Sequence, residues 1–211
     1  MLYLIVTSLF KLYFKLFFRL KVYGKENIKK GKCLIAPNHT SFFDPPLIAG
    51  AWPGTAAFLA RKTLFKSPFS SFILNCLNTY PVGGTTDDLS SLKLIGQLLQ
   101  ANQAVFIFPE GSRSKDGTLS TVKSGIGMIA IRNNAPIIPV YIDGTFEVWP
   151  RTQRFPSFCG KLACVFGKPI PCEQFEDLPR KKAYDAMAKK TAEAITSLKL
   201  WYESGALGSP P

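Results

Sequence analysis

Ala104-Val105-Phe106-Ile107-Phe108 is an unbroken apolar run, and Pro109-Glu110-Gly111-Ser112-Arg113-Ser114 follows it directly. A strand with one wet face alternates apolar and polar residues. A run of strand length without alternation belongs to a strand covered on both faces, as in parallel sheets. Two more such runs lie on either side in sequence. Cys33-Leu34-Ile35-Ala36 ends at Pro37, and 135–142 is apolar nearly throughout. Shorter extended stretches are expected over 55–60, 79–82 and 162–166. Between them the period changes to that of helices, over 44–52, 67–75, 87–100, 123–133 and 180–202. In 87–100, Leu89, Leu92, Ile95 and Leu99 share one face, and Asp87 and Asp88 supply acids to the first turn. The alternation predicts an α/β fold: a single domain over 24–203 with a largely buried mixed sheet flanked by helices. Residues 204–211 read as a flexible tail.

The chain of 211 residues carries 26 Lys+Arg against 14 Asp+Glu, a formal net charge of +12. An excess of that size points to an anionic partner: a membrane surface, a phosphorylated substrate or nucleic acid. No nucleic-acid motif accompanies the charge, so nucleic acid is not expected. The five cysteines form no C-x-x-C pair, and with one histidine they make no metal site. They read as free thiols in a reducing compartment.

Residues 1–23 are mostly Leu, Ile, Phe and Tyr, with Lys11, Lys15 and Arg19 at intervals of four on one helical face and Thr7 extending that stripe. Lys11 at the centre of a spanning helix would cost about 2.5–3.5 kcal/mol. An amphipathic helix lying in the membrane interface avoids that cost. Lys21, Lys25, Lys29, Lys30 and Lys32 follow, opposed only by Glu26. The expectation is a peripheral, monotopic protein whose first 23 residues hold it to an anionic surface at the cytoplasmic face.

His39, the only histidine, lies in Asn38-His39-Thr40-Ser41-Phe42-Phe43-Asp44. Five residues turn a helix through about 500°, so a regular helix sets His39 and Asp44 on nearly opposite faces. A strand separates them too. They meet only if the chain turns between them, and a strand ending at Pro37 with a helix opening at Pro45-Pro46 supplies that turn. Asp44 then sits as an N-cap, able to hold Nδ1–H while Nε2 takes a proton. Glu110, Gly111, Ser112 and Arg113 fall beyond the end of the 104–108 strand, where α/β sheets place ligands. Arg113 offers a planar fork for phosphate, and the serines and Gly111 offer further donors. Glu110 is placed to accept from a substrate hydroxyl or to hold Arg113.

These two blocks, followed by Ile138-Pro139-Val140, resemble the glycerolipid acyltransferase family over about residues 20 to 170. The family's H-x4-D pair falls on His39 and Asp44, its Glu-Gly-x-Arg on Glu110, Gly111 and Arg113, and a Lys-x-Gly on Lys123 and Gly125. The resemblance implies transfer of a fatty acyl group from an acyl-CoA or acyl carrier protein thioester to the free hydroxyl of a lysophospholipid. 1-Acyl-glycerol-3-phosphate is the expected acceptor, and no metal or other cofactor is implied. His39 would be the base, Asp44 its orienter, and Glu110, Gly111, Ser112, Arg113 and Lys123 the substrate-binding set. Amides of 40–43 are candidate oxyanion donors. Where the family carries Pro-Val-x-Arg, this chain has Pro81-Val82-Gly83-Gly84. Amides of 83–86, or Arg61, Lys62 or Lys66, are candidates to replace that arginine. Rival readings are a different lysophospholipid headgroup, a thioesterase using water, and a non-catalytic basic membrane-binding module.

Overall fold

A computed structural model of the chain describes residues 2–83 and 89–211. Gly84, Thr85, Thr86, Asp87 and Asp88 fall outside the described residues, and with them most of the expected glycine nest and the acids of the 87–100 helix. The described strands are β1 (Lys21–Tyr23), β2 (Cys33–Pro37), β3 (Ala56–Arg61), β4 (Thr79–Val82), β5 (Ala104–Phe106), β6 (Ile137–Asp143) and β7 (Ala163–Phe166). The helices are α1 (Leu2–Phe18), α2 (Asp44–Ala51), α3 (Pro68–Cys76), α4 (Leu89–Gln100), α5 (Gly125–Asn133), α6 (Thr145–Val148) and α7 (Arg180–Glu203). One mixed sheet runs in the order β1-β7-β6-β2-β5-β3-β4. The pairings β6–β2, β2–β5, β5–β3 and β3–β4 are parallel, and β7 turns antiparallel against β6.

Period-two alternation sorts the strand side chains into two layers. Cys33, Ile35, Phe58, Phe106, Ile138, Val140 and Phe166 point to one side, where Phe14 and Phe18 of α1 and Leu47 and Ile48 of α2 meet them. Leu34, Ala57, Val105 and Ile137 point to the other, onto Ile95 and Leu99 of α4, Ile126 and Ile129 of α5 and Met187 of α7. Each such side chain taken fully from water contributes about 1.5–3 kcal/mol. The apolar runs of β2, β5 and β6 follow from their central positions, with a neighbour on each edge and a helical layer on each face.

Three expectations are corrected. The first helix ends at Phe18, not at 23. Arg19 turns left-handed at φ 50°, the Leu20 amide donates to the Phe14 carbonyl, and Lys21–Tyr23 then joins the sheet beside β7. The boundary of the folded domain therefore falls inside the segment assigned to the membrane. Thr7 belongs to the packed face, not to the basic stripe: Tyr3, Thr7, Phe14 and Phe18 are buried while Lys11 and Lys15 are exposed. Gly50 of α2 lets that face approach, since a Cβ there would stand 2.9 Å from the Lys11 nitrogen. Finally, residues 204–211 do not hang free. The Trp201 indole donates to the Leu207 carbonyl, the Lys168 amide donates to the Pro211 carbonyl, and Pro210 is buried.

Among the described residues no helix is long and apolar enough to cross a membrane. The outer face of α1 instead exposes Leu2, Leu4, Ile5, Leu9, Leu12, Leu16 and Phe17.

Candidate active site

Because β6, β2, β5 and β3 are parallel neighbours, their carboxyl ends share one edge of the sheet. His39 follows β2, Glu110 follows β5, Thr145 follows β6 and Arg61 ends β3. Pro37 closes β2 without an amide donor. Asn38 carries the pairing past it: its side chain donates to the Ile142 carbonyl and accepts from the Ile142 amide, at 3.0 and 2.7 Å.

The turn that brings His39 back to Asp44 is organised by the carboxylate itself. Asp44 Oδ2 accepts from His39 Nδ1 at 2.8 Å, the Thr40 amide at 2.7 Å and the Ser41 amide at 2.8 Å. Oδ1 accepts from the Thr145 hydroxyl at 2.6 Å. Asp44 is fully buried, and these donors replace the water it has lost. It is the first residue of α2 rather than the cap, so its side chain reaches back over the turn. The imidazole stacks on Phe108, with centroids 3.8 Å apart and planes 22° from parallel. Its side chain is 16% exposed. With Nδ1 held by Asp44, Nε2 is the ring nitrogen left to exchange a proton.

Glu110 is bonded to backbone amides rather than to Arg113. Its carboxylate is buried and accepts from the His39 amide at 2.8 Å and the Ser120 amide at 3.1 Å. Burial raises its pKa, and the amides of His39 and Ser120 pull it back. Ser114 completes the link between the two motifs by donating its amide to the His39 carbonyl at 2.8 Å. The Ser114 hydroxyl is occupied with Asp116, and Ser112 is exposed at the rim. Gly111 suits its φ of +76°, and Lys123 Nζ lies 2.7 Å from where a Cβ would stand, a contact that the flexible lysine could relieve by moving. Lys123 therefore lies across Gly111, with its own amide donating to the Pro109 carbonyl.

Arg113 lays its guanidinium over the Phe42 ring, 3.7 Å from the centroid. No carboxylate is bonded to it among the described residues. Burial lowers its pKa, and the charges of Arg151 and Arg61 add to that against the opposing pull of Asp44. Arg151 also donates to the Arg113 carbonyl at 3.3 Å. Three guanidinium groups thus gather near one edge of the His39 turn. Lys62 and Lys66 follow Arg61 on the same connection.

The amides of 40–43 are not free to serve an oxyanion. Those of Thr40 and Ser41 go to Asp44, Phe42 to the Trp149 carbonyl, and Phe43 to Ser41 Oγ. Sequence reading missed Thr145, Arg151 and Phe108. Position at a strand end was the available signal for Thr145, because β6 finishes on the same edge as β2 and β5. Among the described residues no three His, Cys, Asp or Glu side chains gather as a metal site would need.

The sequence profile of the Acyltransferase family matches residues 19–143, more than half of the chain. A 1-acyl-sn-glycerol-3-phosphate acyltransferase of Bacillus subtilis is 29% identical over 180 residues, covering 84% of this chain and 87% of that protein. A chloroplast 1-acyl-sn-glycerol-3-phosphate acyltransferase of Brassica napus is 27% identical over 158 residues, 73% of this chain. The match spans 46% of the Brassica protein's length. The crystal structure of the 1-acyl-sn-glycerophosphate acyltransferase PlsC from Thermotoga maritima superposes with a TM-score of 0.74 at 28% identity, covering 92% of this chain and 80% of that one.

Proposed function

This chain belongs to the Acyltransferase family, and from that premise we propose that it moves a fatty acyl group from a thioester onto the free hydroxyl of 1-acyl-glycerol-3-phosphate, forming phosphatidic acid. The observation that carries the reading is the bonded His39–Asp44 pair at one sheet edge beside Arg113, to which no carboxylate is bonded among the described residues. Nε2 of His39 takes the proton as the hydroxyl oxygen attacks the thioester carbonyl. Asp44 keeps the ring in place and offsets the imidazolium charge. As the C–S bond breaks, the imidazolium returns the proton to the departing thiolate, so ester and free thiol leave together.

Arg113 is the primary seat for the acceptor phosphate, and Arg61 and Arg151 add positive charge beside it. A phosphomonoester, with its second negative charge, suits three guanidinium groups better than a zwitterionic headgroup does. Glu110 acts through His39 and is a positioning residue. Direct transfer is favoured over a cysteine acyl-enzyme, because the His39 ring meets Asp44 and Phe108 and no cysteine among the described residues, and burial pushes the Cys33 thiol up to about 12 and the Cys172 thiol up to about 11. The donor is an acyl-CoA or acyl carrier protein thioester. The exposed apolar face of α1, with Lys11 and Lys15 at its flank, holds the chain to an anionic membrane surface.

The test is product analysis with labelled acyl-CoA and lysophosphatidate. Wild type forms labelled phosphatidate, and His39→Ala lowers the rate by about 10³-fold or more while the circular dichroism spectrum is unchanged. Release of free fatty acid alone, with acceptor present, would replace this reading with a thioesterase.

A further inference from the structure

The exposed phenylalanines among the described residues are Phe17 of α1, Phe42 of the His39 turn, Phe69 and Phe72 of α3, and Phe155 and Phe158. Elsewhere the exposed large apolar residues are single leucines, Leu89, Leu178, Leu200 and Leu207. Isolated leucines need no explanation, whereas clustered aromatic rings in water do. Two of the clusters are independent of α1. Phe69 and Phe72 of α3 are 74% and 62% exposed, and Leu64 precedes them. Phe155 and Phe158, between α6 and β7, are 67% and 93% exposed.

Both clusters grow out of the core layer that α1 covers. Ile73, one turn beyond Phe69 on α3, packs into that layer, so the apolar face of α3 starts in the core and runs off its edge. Trp149 packs into the same layer just before the second cluster, and α1 touches α3 directly. Each cluster also adjoins the site. Arg61 ends β3 and leads straight into Lys62–Phe65, while Arg151 donates to the Arg113 carbonyl a few residues before Phe155.

Charge selects the partner. None of the acidic residues of the chain falls in 1–25, 45–86 or 148–172, the stretches that contain α1, α3 and the 155–158 segment. Lys62, Lys66, Arg151 and Arg154 fall within the latter two, and the Arg154 guanidinium lies 5.2 Å from the Phe155 centroid. Protruding rings interleaved with cations and free of carboxylates suit a lipid surface bearing negative headgroups.

We infer that Leu64, Phe69 and Phe72 on one flank of the site, and Phe155 and Phe158 on the other, insert into an anionic bilayer together with α1. The inference rests on the reading of α1 as a membrane contact and adds two further contacts that straddle the His39 turn. A site held at three points would open onto the lipid surface itself, so that the lysophospholipid acceptor enters from the membrane plane.

The experiment measures partition of the full chain onto vesicles of equimolar phosphatidylcholine and phosphatidylglycerol. Phe69→Ser/Phe72→Ser and Phe155→Ser/Phe158→Ser are each expected to weaken partition about tenfold, because each withdraws two rings from the apolar phase. Turnover of a short-chain, water-soluble acceptor should stay at the parent value. Parent-like partition by both double variants overturns the inference. Leu9→Glu/Leu16→Glu then separates the two readings: if it releases the chain, α1 is the sole contact, and if it too stays bound, the α1 reading falls as well.

Discussion

Asp44 and Glu110 are both buried carboxylates at the carboxyl end of central parallel strands, and both grip His39, yet from opposite sides. Asp44 holds the ring, through Nδ1, along with two amides of the turn. Glu110 holds the backbone amide of His39 and, through its other oxygen, the amide of Ser120. The first contact changes when the ring gains a proton, and the second does not. A carboxylate adjoining the reacting group is therefore either part of the charge balance or part of the frame, and only its partner atom tells which.

Asp44→Asn tests the charge side and should have the larger effect. The amide can turn its NH2 toward Thr145 Oγ, which can accept, and keep its oxygen toward the three donors. The fold is then retained while the imidazolium loses its counter-charge, and kcat falls by about 10³–10⁴-fold. Initial rates of phosphatidate formation, with thermal unfolding as the control, would show it. A loss of stability in step with the rate would move Asp44 to the frame.

Glu110→Gln tests the frame. One carboxamide oxygen cannot serve two amides, and its NH2 would face the other N–H. An amide left unsatisfied beside the buried carboxamide, at a partly buried bond, costs up to about 1–3 kcal/mol, so the melting temperature drops. The rate should fall only about tenfold, through displacement of His39, with KM for the acceptor unchanged. A rise in KM without loss of stability would mean that Glu110 touches substrate after all.

The same contrast explains what the sequence could reveal. His39, Asp44, Glu110 and Arg113 are legible because each follows a strand whose apolar run is unmistakable, and ends of parallel strands converge. The α/β fold is legible for the same reason, since β5 and β6 are covered on both faces. β1 is not. Lys21–Tyr23 is three residues long, half-exposed at an edge, and follows a helix that ends at Phe18, with the left-handed turn taken by Arg19 rather than a glycine. The antiparallel turn of β7 and the docking of 204–211 depend on partners distant in the chain, and so does the spending of the 40–43 amides. The wide apolar surface of α1 was legible in the sequence; that Thr7 packs inward was not, because a threonine suits either face.

Thr145 gives the smallest expected effect and sharpens the contrast most. Its hydroxyl donates to Asp44 Oδ1 at 2.6 Å and stands 3.1 Å from the Thr40 hydroxyl, but it never meets the ring. Thr145→Val keeps the shape and removes the donor, leaving one oxygen of a buried carboxylate without its partner. Stability should fall by about 1–3 kcal/mol and kcat by a few-fold, with acceptor KM unchanged. Thr145→Ser retains the donor and should restore both. If Thr145→Val lost as much rate as Asp44→Asn, then Asp44 could not support the ring through Oδ2 alone, and Thr145 would belong with the residues that balance charge.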